Sequence, residues 1–202
     1  MQRRLVVLAG GPSGLAAADL DSPALIRVVP SAGLPAGLRP WDVVAATVNP
    51  DDRFAFAADT ISVGPMERIG RLRGRRLEKV LRPLVHPEAK PLLGGPADAV
   101  AYWTLNLDEP SLALIEPAAG PVLERASLAT LRCRFRWRRL DHDLLLDDPM
   151  AAERIDHPSA TRLAGRTLAR ALGWAPHRLL VALTPPVDGM CAKVVAGLLP
   201  RP

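Results

Sequence analysis

Apolar residues fall in short runs separated by Pro, Gly and polar residues, a pattern that predicts many short strands and few long helices. β-rich runs cover 3–9, 24–29, 41–48 and 53–63, and the last two are joined by Asn49-Pro50-Asp51-Asp52, residue types that suit a hairpin turn. Leu77, Val80, Leu81 and Leu84 then recur at i, i+3, i+4 and i+7, which predicts a helix that ends near Pro83. Residues 86–97 are rich in Pro and Gly and predict a boundary. Beyond it strands are expected over 100–107, 112–116, 128–137 and 142–146. A helix follows over 159–172, with Ser159 and Thr161 as N-cap candidates and Gly173 near its end. Two further apolar runs, 178–183 and 191–199, flank a Pro-rich linker. Each half thus holds several short strands and a helix. The expected fold is mainly β, with two small barrels over 1–90 and 97–202.

One segment stands out against this pattern. In Arg132-Cys133-Arg134-Phe135-Arg136-Trp137-Arg138, Arg alternates with apolar residues, so a strand would send all four Arg one way and Cys133, Phe135 and Trp137 the other. Two readings of the ladder stand. It could follow a nucleic-acid backbone, since alternate strand residues advance about 6.6 Å, comparable to the phosphate spacing of an extended single strand. It could equally pair with Asp141, Asp143, Asp147 and Asp148 as a cross-strand charge network.

Composition narrows the field. With 202 residues, 49% hydrophobic and 23% charged, the chain can bury a core and fits neither disorder nor a fibrous repeat. No apolar run approaches the ~20 residues of a membrane span. The five apolar residues after Met1-Gln2-Arg3-Arg4 are shorter than the ~7–15 of a secretory signal, so a cytoplasmic protein without a membrane partner is expected. Net charge is +5, which favours a polyanionic partner, although 23 of the 26 basic residues are Arg, a skew that genomic base composition also produces. Placement says more. Residues 68–82 hold seven basic residues (Arg68, Arg71, Arg73, Arg75, Arg76, Lys79 and Arg82) against Glu78 alone. Arg162, Arg166 and Arg170 share one face of the second expected helix.

Other residue types supply little chemistry. Cys133 and Cys191 have no ligand spacing around them and read as buried thiols, a disulfide between them being the alternative. Gly10-Gly11-Pro12-Ser13-Gly14 follows a strand but lacks the Lys-Ser/Thr pair of a phosphate loop, and reads as a plain loop. Asp141-His142-Asp143 would split across the two faces of a strand, and Asp147-Asp148-Pro149 reads as a strand exit and helix N-cap. No cofactor, metal or catalytic set is expected. Among the aromatics, Trp41, Phe135 and Trp137 belong to the core by pattern. Tyr102 and Trp103 are adjacent, so one of them should face outward as a base-stacking candidate.

The order of several short motifs adds a resemblance. Leu25-Ile26-Arg27-Val28-Val29-Pro30, Trp41-Asp42-Val43-Val44, Phe135-Arg136-Trp137, His142 through Pro149, and Cys191-Ala192-Lys193-Val194-Val195 together resemble the bacterial family of dual OB-containing domain proteins. Ala192 stands where that family carries an aromatic. The resemblance implies two OB-type barrels and, by analogy of fold, nucleic-acid binding. The expected function is therefore a non-enzymatic nucleic-acid-binding accessory protein. Arg132, Arg134, Arg136 and Arg138 would meet phosphates, helped by Arg71, Arg73, Arg75 and Arg76, with Tyr102 or Trp103 stacking. A protein-interaction subunit docking an acidic partner is the alternative. A third reading is an RNA-cleaving toxin, because 63–84 resembles the strand and Arg-rich helix of MazF/PemK-type toxins.

Overall fold

The computed structural model describes residues 1–11, 14–49, 57–106, 109–127, 130–155 and 161–202. The chain is mainly β, with a closed five-stranded barrel and a second, larger sheet. It divides into two compact units: Met1–Val85 with Asn106–Ala113 and Pro202, and His86–Leu105 with Leu114–Arg201. Among the described residues no helix is long and apolar enough to cross a membrane.

In the first unit the strands are β1 (Gln2–Gly11), β2 (Gly14–Asp19), β3 (Leu25–Pro30), β4 (Asp42–Val48) and β5 (Thr60–Arg71). They close in the order β1-β2-β3-β5-β4, with β3 and β5 parallel and β4 returning antiparallel to β1. Alternation decides what the barrel encloses: Leu5, Val7, Leu15, Ala17, Ile26, Val28, Val44, Ala46 and Val63 form one buried cluster. The expected loop at 10–14 is instead the end of one hairpin strand and the start of the next, with Pro12 and Ser13 outside the described residues. Gly14 is required there, because a Cβ would fall 2.4 Å from the Val28 carbonyl oxygen and its φ is +146°. The turn expected at 49–52 and the start of the strand expected over 53–63 also lie mostly outside the described residues. The strand itself extends past 63 to Arg71, so the basic segment begins on a strand.

Helix α1 (Gly74–Leu81) follows, with Leu77 and Leu81 fully buried as their spacing predicts, and a single 3-10 turn, Arg82–Leu84, ends it at the expected Pro. Later in the chain, Ser111 returns to this unit. Arg27 donates from Nε to its hydroxyl at 2.7 Å, and that hydroxyl donates to Asp59 Oδ1 at 2.7 Å.

The second unit holds β6 (Ala99–Ala101), β7 (Leu112–Ile115, which begins in the first unit), β8 (Val122–Ser127), β9 (Thr130–Trp137), β10 (Leu140–Leu146), α2 (Pro149–Arg154), β11 (Arg162–Ala164), α3 (Gly165–Leu172), β12 (Pro176–Leu183) and β13 (Met190–Pro200). The sheet runs β11-β8-β9-β10-β13-β12-β7, and β6 pairs with the start of β13. The strand expected over 100–107 is thus only β6, and a 3-10 turn at Tyr102–Thr104 follows it. Asp148 caps α2, accepting from the Ala151 amide at 3.1 Å with Pro149 in the first turn, as its residue types predict. The helix expected over 159–172 begins only at Gly165. Ser159 lies outside the described residues, and Arg162 sits on β11, so the expected three-Arg helix face loses its first member. Gly173 ends α3 in the left-handed region, at φ +84°. Cys133 and Cys191 are both buried and neither forms a disulfide, and burial pushes the Cys133 thiol up.

Candidate nucleic-acid interface

The two Arg-rich segments are built differently. β9 lies between β8 and β10, and its side chains alternate as the sequence predicts: Cys133, Phe135 and Trp137 are buried, while Arg134 and Arg136 are exposed and Arg132 is half-buried. The neighbouring strands bring carboxylates to the same outer face. Arg132 pairs with Asp143 at 2.9 Å and also donates to its backbone carbonyl. Arg134 pairs with Glu124 at 3.3 Å, and Arg136 approaches Asp141 to 3.8 Å. Glu124 additionally takes Arg162 from β11 at 3.6 Å. Four guanidiniums thus meet three carboxylates, and the ladder face keeps little net charge.

Arg138 leaves the ladder. The strand ends at Trp137, and Arg138 sits in the following turn with φ +59°, donating to the Lys90 carbonyl at 3.2 Å with its guanidinium 5.6 Å from the Trp137 ring centroid. The expectation that all four Arg share one direction therefore holds for three of them. Asp141 and Asp143 face outward to Arg, whereas His142 turns inward and stacks on Phe135 with ring centroids 5.1 Å apart. The triplet does not converge on one point.

The segment from Arg68 to Arg82 splits in two. Arg68 and Arg71, on β5, approach the fully buried Asp42 carboxylate at 3.2 and 3.8 Å, and Arg71 also donates to the Pro40 carbonyl at 3.1 Å. These cations are committed to the barrel. Beyond them, Arg73, Arg75, Arg76, Lys79 and Arg82 are exposed, and none forms an ion pair with a described carboxylate. Arg73 occupies the N-cap position without a side-chain cap, and the first turn of α1 has no acidic residue. Its unpaired amides and the positive end of the helix dipole therefore add to the Arg charge instead of opposing it. Arg75, Lys79 and Arg82 follow at helical spacing and, with Glu78 and Pro83, line an open groove of about 620 Å³. Leu77 and Leu81 hold the opposite face in the core, which fixes this one toward solvent.

The sequence names His142 and Lys193 only in separate motifs, and the second unit buries them near each other. Lys193 is buried on β13, donates from Nζ to the Gly95 carbonyl and lies near Asp98. Burial pulls its amine down to about 8. His142, also buried, is held below the usual histidine range by burial first and by the Lys193 charge second. The signal was a lone Lys inside the apolar run 191–199. His86, the residue a nuclease reading would test, approaches the Pro91 carbonyl at 3.1 Å and tilts against Trp137 at 5.6 Å. Among the described residues it has no carboxylate beside it to act as its acid–base partner.

Of the aromatic pair, Tyr102 is half-buried and Trp103 is exposed. No protein-family model matches the chain, and no curated protein sequence matches it.

Proposed function

We propose that the chain is a non-enzymatic nucleic-acid-binding accessory protein of the cytoplasm. In this reading it holds a phosphate backbone against α1, with Arg73, Arg75, Arg76, Lys79 and Arg82 as the contacts. The observation that carries the reading is the cluster of five exposed cations without described carboxylate partners at and around a helix whose first turn has no acid. Arg73, Arg75 and Arg76 crowd at the positive end of α1 and repel one another, Lys79 and Arg82 carry the charge on to its other end, and a polyanion relieves the repulsion while releasing its own counterions. The barrel order β1-β2-β3-β5-β4, closed by β4 on β1, supports an OB-type first unit, one of the two barrels that the resemblance implies. The reading moves the main contact from β9 to α1, because the β9 guanidiniums already have carboxylate partners.

The test is fluorescence anisotropy of a labelled oligo(dT) across a salt series. Binding should weaken steeply with salt. The triple variant Arg75→Glu, Arg76→Glu, Lys79→Glu should lose at least about tenfold in affinity and flatten the log–log slope by about two. A protein that ignores single-stranded DNA, duplex DNA and RNA at low salt overturns the reading. Capture of a stoichiometric acidic protein, lost in the same triple variant, would assign α1 to a protein partner instead.

A further inference from the structure

Three of the four tryptophans are tied into the protein. Trp41 and Trp137 are buried, and Trp174 donates its indole N–H to the Leu198 carbonyl at 2.9 Å under the Arg154 guanidinium. Trp103 differs: 73% of it is exposed. It is nevertheless held in a defined place. Its 3-10 turn follows β6, whose Ala101 and Val100 pair with Met190 and Cys191 of β13. The Tyr102 amide donates to the Gly189 carbonyl at 2.8 Å, and the Thr104 hydroxyl donates to the Ala101 carbonyl at 2.7 Å.

The indole itself rests on Gly189. A Cβ at that position would fall 2.7 Å from Cζ3 of Trp103, and 3.5 and 3.6 Å from Cη2 and Cε3. Gly189 is also in the left-handed region, at φ +77°. Glycine is thus needed twice, once for the turn and once for the close approach of the ring. The result is an aromatic ring backed by main chain and open to solvent. Val187 and Met190, both exposed, come from the same turn.

Resting on the reading that the chain binds a nucleic-acid backbone, we infer that Trp103 is a platform on which one unpaired base stacks, so that the preferred polymer is single-stranded. In a duplex both faces of each interior base are covered by its neighbours, whereas a single strand can present a free face to an indole. The exposed apolar patch comprises Trp103, Val187 and Met190. A stable protein interface uses about 20–30 residues a side, so this patch suits one base better than a folded partner.

The experiment compares binding of the whole chain to oligo(dT), to an abasic oligomer of the same length, and to a blunt-ended duplex without a loop. Trp103→Ala should weaken oligo(dT) binding roughly five- to a hundredfold and leave abasic and duplex binding unchanged. Its salt slope should match that of the parent, because no phosphate contact is lost. Trp103→Phe should retain most of the affinity. Gly189→Ala, which displaces the ring without removing it, should follow Trp103→Ala. Equal binding of oligo(dT) and the abasic oligomer by the parent protein, or unchanged oligo(dT) binding by Trp103→Ala, overturns the platform and leaves backbone binding by α1 standing. Binding of none of the three at low salt overturns both. Self-association that disappears in Trp103→Ala would give the patch to a second copy of the chain and also overturns the platform.

Discussion

The ladder on β9 and the basic face of α1 are almost equally rich in Arg, yet the first is nearly neutral and the second is not. The cause lies in the neighbours each element has. A strand inside a sheet has flanking strands about 4.8 Å away on both sides, and here β8 and β10 each supply acids to the face the Arg occupy. The outer face of a surface helix meets only its own residues three and four positions away, and α1 offers Glu78 alone. A count of Arg therefore says little about where a polyanion could bind. The carboxylates at cross-strand and helical distances say more.

The largest expected effect comes from removing what aims the helix. Leu81 is fully buried beneath the basic face, and Leu81→Ala should cost about 2–5 kcal/mol of stability, read as a lower urea midpoint. Oligo(dT) affinity should fall with it wherever amide exchange shows α1 opening. Affinity that survives the loss of α1 protection would mean that charge density alone suffices, and the contrast between the two segments would lose its geometric basis.

A third mode of holding a cation sharpens the contrast, because Lys193 is isolated by burial. Its amine releases its proton near pH 8 in the folded chain, against an ordinary value of 10.5. Between those values the unfolded chain binds the proton and the folded chain does not, so stability should rise with pH across that window. Below pH 8 the burial penalty is present in full. Asp98 and His142 are the titratable groups that share its surroundings. Lys193→Met should abolish the rise attributable to this site, as measured by urea midpoints at a series of pH values. An unchanged rise in the variant would place its origin elsewhere.

The same contrast separates what sequence could show from what it could not. Period-two alternation placed Cys133, Phe135 and Trp137 inside and the Arg outside, and helical spacing placed Leu77 and Leu81 in the core, because both signals are local. Asp148-Pro149 was legible for the same reason. The second barrel strand was not: Leu15-Ala16-Ala17-Ala18 has poor strand propensity, and small side chains suit it to a position buried between β1 and β3. β8 was hidden because Glu124 and Arg125 interrupt its apolar pattern, and with it went the acid that neutralises Arg134. The acids nearest in sequence were the expected partners. Asp141 and Asp143 do pair with Arg, but Asp148 caps a helix and Glu124 takes its place from the other side. Tyr102 and Trp103 do differ in exposure, but in a 3-10 turn and not by the strand alternation expected of them, and only the approach of the ring to Gly189 shows how Trp103 is fixed.

If pairing is what silences the ladder, removing a carboxylate should wake it. Glu124 holds both Arg134 and Arg162, so Glu124→Gln frees two guanidiniums on one face. Oligo(dT) affinity at low salt should rise about two- to fivefold and the salt slope should steepen by about one. Stability should fall by no more than about 1 kcal/mol, since both pairs are solvent-accessible. No gain in affinity would mean that the ladder is silent for a reason other than charge pairing.

The smallest expected effect is also the most discriminating against the original ladder reading. Arg136 is exposed and approaches Asp141 only to 3.8 Å, a separation at which an accessible pair contributes little. Arg136→Ala should therefore change the unfolding free energy by less than about 0.5 kcal/mol. If phosphates follow α1, it should leave oligo(dT) affinity and salt slope within about twofold of the parent, since removing this cation takes no contact from the bound strand. A ladder that tracked the backbone would instead lose one phosphate contact, and its slope would drop by about 0.7 for a single strand. Measured beside the triple α1 variant in one salt series, that drop would return the binding face to β9 and reverse the assignment made from the pairing of its Arg residues.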